Sequence, residues 1–135
     1  MDNKRIVTYT EYGELLDKLC QLIVQQKKVL KYTKYICGIP RGGYPVAVHL
    51  AHHLNKKFIE YYHLDRKQEE ETILVDDIAD TGATFKLHAT WDTLATATLF
   101  YKQRSSYEPM FYVETTDKWI VFPWERTDEI PNRPV

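Results

Sequence analysis

Two adjacent carboxylates, Asp76 and Asp77, follow directly on the apolar run Ile73-Leu74-Val75, and Asp80-Thr81-Gly82-Ala83-Thr84 comes three residues later. Two carboxylates cannot be buried together without a large electrostatic cost, so they belong at a strand end that faces solvent or a ligand. The stretch after them supplies backbone N–H groups, two hydroxyls and a glycine at a predicted helix start, an arrangement that suits a phosphate. Acidic acceptors for sugar hydroxyls beside a phosphate cradle describe a site for a phosphorylated ribose.

Such a site needs strands that end together, and the pattern supplies them. Thr8 with Glu11 forms a Thr-x-x-Glu capping box, which predicts a helix start after a strand-like lead-in over 5–8. Leu15, Leu16, Leu19, Leu22 and Ile23 then recur at helical spacing and form one face. Residues 34–39 read as the first core strand, 44–54 as a helix with Val46, Leu50 and Leu54 inward, and 58–62 as the second strand. A charged loop over 63–71 precedes a buried strand over 72–75, a helix over about 84–91 and a fourth strand over 96–101. This order predicts a mostly parallel central sheet with helices on both faces, and ligands bind at the carboxyl ends of such strands. Phe111 to Val113 and Trp119 to Phe122 are aromatic-rich and predict a small flap, followed by a mobile tail over 128–135.

The chain has 135 residues, 44% hydrophobic and 27% charged, which predicts one domain over 1–135 with a single core. Its formal net charge of −1 gives no global field to recruit nucleic acid or an anionic membrane. Cys20 and Cys37 have neither metal spacing nor a disulfide framework. With no apolar stretch of transmembrane length and no signal-peptide core after Met1-Asp2-Asn3-Lys4-Arg5, the expectation is a cytoplasmic protein. His49, His52 and His53 have spacings that can bind a metal on a helix, but no acidic or cysteine partner accompanies them, so a polar helix surface or an oligomer contact is expected.

The thirteen-residue string from Thr72 to Thr84 closely resembles the phosphoribosyl pyrophosphate (PRPP) signature of the type I phosphoribosyltransferases. Gly38-Ile39-Pro40-Arg41-Gly42-Gly43 resembles that family's pyrophosphate loop, and Trp119-Ile120-Val121-Phe122-Pro123-Trp124-Glu125 resembles the base-binding hood of its xanthine-guanine members. The three matches stand in the family's order and span nearly the whole chain.

The resemblance implies an α/β type I phosphoribosyltransferase fold with a small C-terminal hood, formed by about 103–126 with the N-terminal segment. It implies that Arg41, Gly42 and Gly43 bind pyrophosphate, with a strained or cis peptide expected at Arg41–Gly42. Asp76 and Asp77 would hold the ribose hydroxyls, or Mg²⁺ through water, with Glu125 a further metal candidate. Ala79, Asp80, Thr81, Gly82, Ala83 and Thr84 would cradle the 5′-phosphate, and Asp80 would also take a proton from N7 of a purine. Lys102 would reach the oxygen at position 6 of the base, Trp119 would stack on it, and the backbone of Ile120 would read its edge. Asp80, Asp76 and Asp77 are thus the expected catalytic set.

The implied reaction transfers 5-phosphoribosyl from PRPP to guanine, xanthine or hypoxanthine, in a homodimer or homotetramer that binds no nucleic acid or membrane. The alternative is a PRPP- or nucleotide-binding regulator of the same fold. One departure separates this sequence from the family: the segment over 63–71 is short where the family has a long mobile loop, and it lacks the Ser-Tyr pair of several purine members.

Overall fold

Thr8 caps the first helix as its spacing predicts: its hydroxyl accepts from the Glu11 amide and the Glu11 carboxylate accepts from the Thr8 amide. The structure, a computed structural model, describes residues 3–61 and 64–125. Tyr62, His63, Arg126 and the tail over 128–135 lie outside the described residues. The order of elements is β1 (Lys4–Ile6), α1 (Tyr9–Gln25), α2 (Lys27–Tyr32), β2 (Tyr35–Gly38), α3 (Gly43–Leu54), β3 (Lys57–Glu60), α4 (Arg66–Glu69), β4 (Thr72–Val75), β5 (Ile78–Ala79), α5 (Ala83–His88), β6 (Ala95–Ala97), β7 (Phe100–Tyr101), β8 (Glu114–Thr115) and β9 (Trp119–Val121).

The central sheet runs β3-β2-β4-β6 and every pairing in it is parallel. Strands buried on both faces read as continuous apolar runs, and Thr72-Ile73-Leu74-Val75 is buried at every position. The side-chain alternation of a strand then splits the core in two. Ile36, Ile73 and Val75 join Leu16, Leu19 and Ile23 of α1 and Val46 and Leu50 of α3 on one face. Cys37 and Leu74 join Ile39 and Phe85 on the other. Leu22, expected on the inner face of α1, is 36% exposed, and Tyr12 takes up buried space instead.

Three other expectations change. The strand expected over 96–101 is two strands in two sheets: β6 ends the central sheet, and β7 lies between β5 and β8 in a second parallel sheet. The cause is the acidic pair. After Val75 pairs with Ala97, the Asp77 carbonyl accepts both the Leu99 and Phe100 amides, and pairing resumes at Ile78 with Phe100. The segment expected as a charged loop contains α4, started by a capping box in which Asp65 and Gln68 exchange bonds. The aromatic segments do not pair with one another as a flap: Phe111 bridges Ala97 and joins the main core, while β9 pairs in parallel with β1.

Candidate active site

Gly38 and Val75 are register partners, so the chain leaves β2 and β4 at the same edge of the sheet. The loops that follow, Ile39–Gly43 and Asp76–Gly82, form the floor of a cavity of about 370 Å³. Lys102, Trp119, Ile120, Phe122, Trp124 and Glu125 supply its wall. Of the residues expected to bind PRPP, Arg41, Gly42, Asp76, Asp77, Ala79, Asp80, Thr81, Gly82 and Thr84 line this cavity, as do Lys102, Trp119, Ile120 and Glu125. Gly43 and Ala83 do not. Gly43 is buried in the first turn of α3, where a Cβ would stand 2.5 Å from the Val75 carbonyl oxygen.

The two glycines therefore do a job the sequence did not disclose. A Cβ on Gly42 would run into the Asp77 carboxylate, so bare backbone here is what admits the acidic pair beside the pyrophosphate-type loop. Gly42 is in right-handed helical conformation and the Gly43 amide donates to the Ile39 carbonyl at 2.9 Å. The cis peptide accordingly falls one bond earlier than expected, at Pro40–Arg41 rather than Arg41–Gly42.

Asp76 is 9% exposed. Burial, with the neighbouring Asp77 charge second, pushes its carboxyl well above the usual carboxylate range. Asp76 Oδ1 accepts from the Asp77 amide at 2.9 Å, and Asp77 Oδ1 from the Ile78 amide at 2.8 Å. Thr81 Oγ1 accepts from the Ala83 amide at 3.2 Å, which leaves its O–H free to donate. Gly82 has φ 91°, a left-handed conformation in which a side chain is strained. Helix α5 has only six residues, so what this turn offers an anion is loop amides and hydroxyls more than a helix dipole.

Sequence reasoning missed the strap over 103–107. The Ser106 amide and hydroxyl both donate to the Thr81 carbonyl, at 2.8 and 2.9 Å, and Tyr107 stacks on Phe85 with ring centres 5.1 Å apart. A Cβ on Gly82 would meet the Tyr107 amide nitrogen at 2.6 Å. Lys102 is 5% exposed, with Nζ 3.3 Å from Asp80 Oδ1 and 5.8 Å from the centre of the Trp119 ring. Arg104 binds the same Asp80 oxygen, through Nε at 3.1 Å and through Nη2. The only signal available in the sequence was the placement of Arg104 two residues beyond Lys102.

The other titratable groups belong to the framework. Tyr12 and His49 share a 2.6 Å hydrogen bond, and His53 stands 3.9 Å from Asp17, so the histidines make contacts between α1 and α3. Among the described residues no group of three or more His, Cys, Asp or Glu is placed to hold a metal. Glu125, expected with Asp76 and Asp77, lines the cavity and accepts from the Phe122 amide through Oε1 at 2.9 Å. Burial pushes the Cys20 and Cys37 thiols up to about 11 and about 12, and both are free and un-ionised at neutral pH. Among the described residues no helix is long and apolar enough to cross a membrane.

No known family profile and no curated relative matches the chain. Solved structures do. A purine phosphoribosyltransferase from Pyrococcus horikoshii superposes with a TM-score of 0.76 at 27% identity, over 95% of this chain and 97% of that one. The type I phosphoribosyltransferase fold is the fold of this chain. A xanthine-guanine-hypoxanthine phosphoribosyltransferase from Helicobacter pylori shares this phosphoribosyltransferase fold at TM-score 0.71 and 19% identity, over 90% of this chain and 93% of that one. So does a Neisseria gonorrhoeae protein with bound ppGpp, at TM-score 0.70 and 17% identity, over 95% and 92%.

Proposed function

We propose that the protein transfers 5-phosphoribosyl from PRPP to a 6-oxopurine, giving a nucleoside 5′-monophosphate and pyrophosphate. The observation that carries this reading is one cavity lined both by paired carboxylates with the Asp80–Thr84 turn and by Lys102 and Trp119. A bond forms from N9 of the base to C1 of the ribose as the bond from C1 to the pyrophosphate oxygen breaks, and the proton displaced from the base passes to Asp80. Asp76 and Asp77 accept from the ribose hydroxyls. The Asp80–Thr84 loop holds the 5′-phosphate, and Arg41 holds the leaving pyrophosphate. The segment over 103–125, with β1 paired to it, serves as the hood over the base.

Mg²⁺ fits this chemistry. It is held by one or two carboxylates together with substrate phosphates and keeps several waters. Asp76 and Asp77 stand beside the Arg41 loop and would hold it there, where it would offset charge on the leaving pyrophosphate.

A second reading, a nucleotide-binding regulator with little transfer, is favoured by one observation. The short segment after β3 is not a free lid: it carries α4, and the Glu69 carbonyl accepts the Leu94 amide at 3.0 Å. Closure that excludes water is part of efficient group transfer. Incubation with PRPP, Mg²⁺ and guanine, hypoxanthine, xanthine or adenine separates the two readings. Monophosphate and pyrophosphate appearing together with the oxopurines support transfer. Tight nucleotide binding without turnover supports the regulator.

A further inference from the structure

We propose that Arg104 is a positioning residue for base choice: it holds the Asp80 carboxylate so that Lys102 is released to the oxygen at position 6 of a purine. The inference rests on the reading of the cavity as a base-binding site and adds to it a residue that does not line that cavity.

The ligand-free arrangement poses a problem that Arg104 solves. Lys102 is nearly fully buried and its ammonium is committed to Asp80 Oδ1 at 3.3 Å. To meet a base oxygen it must give up part of that pairing. The Asp80 side chain is 34% exposed, so water screens it in part, but the carboxylate left behind still loses its nearest counter-charge on the cavity side. Here the same oxygen also receives two guanidinium N–H groups of Arg104, so Asp80 keeps a cation when Lys102 turns away. Arg104 lines a second hollow of about 530 Å³, which shares Lys102 and Trp119 with the first. It acts on the base only through Asp80.

The backbone fixes this geometry. The Ser105 amide donates to the Lys102 carbonyl at 2.8 Å, closing the turn that contains Arg104. Ser106 is fastened twice to the Thr81 carbonyl, next in the chain to Asp80. Arg104 is therefore anchored on both sides although its side chain is 64% exposed. Its guanidinium fork takes a carboxylate in a defined direction, which a lone ammonium does not. With Arg104 the trio carries one net positive charge, which suits an oxygen acceptor at position 6; without it the trio is neutral and the Lys102–Asp80 pair tightens.

The test is calorimetric binding of GMP and AMP to the wild type, Arg104→Gln and Arg104→Lys. Both nucleotides present the same ribose and phosphate, so damage to the strap or cradle weakens both alike and leaves their ratio unchanged. The expected result is a fall of about fivefold in the GMP-over-AMP preference in Arg104→Gln, the size of one partly exposed charge contact, with only part of it regained in Arg104→Lys, which restores the charge but not the fork. Equal weakening of both nucleotides, or no change, overturns the inference while leaving the base reading standing. A wild type that binds AMP as well as GMP, or binds neither, overturns the base reading and this inference together.

Discussion

The two walls of the cavity are built on opposite principles. The floor is backbone and buried charge: loops leaving β2 and β4 in register, glycines that admit the acidic pair, and a carboxyl raised by burial. The wall is side chains in exchangeable contact: a lysine ammonium near an aromatic face, tied to the floor through an Asp80 oxygen that it shares with Arg104. A ligand part common to all substrates can be held by a fixed floor, whereas a choice between bases requires groups whose partners differ from one base to the next. On the proposed reading, phosphoribosyl recognition falls to the floor and base choice to the wall.

The largest effect comes from breaking the floor. Asp76→Asn with Asp77→Asn removes two charge-assisted acceptors, each worth about 1.5–3 kcal/mol of binding. The expected outcome is a large rise in the Michaelis constant for PRPP with the fold retained, read by kinetics and thermal unfolding together. A collapsed fold with unchanged PRPP use in the surviving fraction contradicts the assignment.

Breaking the wall should act on choice rather than on PRPP. Lys102→Ala should erode the preference for 6-oxopurines by about 1.5–3 kcal/mol, since an ammonium offers only donors and adenine presents a donor at position 6. Trp119→Ala should weaken all purines similarly, because each has a face to stack on. Catalytic efficiencies for guanine, hypoxanthine, xanthine and adenine check both. Gly82→Ala probes the join between the two regions. At φ 91°, with the Tyr107 amide against it, a methyl group should cost about 1–3 kcal/mol in denaturant unfolding and loosen the strap.

The smallest effect concerns pH. The Asp76 carboxyl is raised in the folded state by burial and by Asp77. An unfolded aspartate titrates near about 3.9, so the folded protein holds this proton more tightly and is favoured below that pH. That contribution is lost as pH rises through the raised folded value. Asp76→Asn should flatten this decline and raise the melting temperature at neutral pH, as expected where a site is strained for function. A steeper decline in the variant contradicts it.

The larger part of the floor was legible because it is local: strand, acids and the turn after them are contiguous from Thr72 to Thr84, so chain order alone places them together, while the Ile39–Gly43 loop joins them through the pairing of β2 with β4. The wall was legible only in part. Lys102 and Trp119 could be named through the resemblance, but Arg104 meets Asp80 across 24 positions and no spacing rule connects them. The fourth strand was misjudged because its apolar residues continue past the point where Asp76 and Asp77 leave the sheet. Nothing in 96–101 itself records that its neighbour departs. The helix α4 was legible in principle from Asp65 and Gln68, whose capping box was hidden among charges that read as loop.

Ribose 5-phosphate carries the floor's ligand and nothing for the wall, so its binding tests the division of labour directly. Calorimetry with ribose 5-phosphate, GMP and AMP on the wild type and Lys102→Ala is the decisive measurement. The account predicts that Lys102→Ala binds ribose 5-phosphate as the wild type does while losing the preference for GMP over AMP. Ribose 5-phosphate affinity falling in step with that for GMP, or a GMP preference surviving without Lys102, would contradict it.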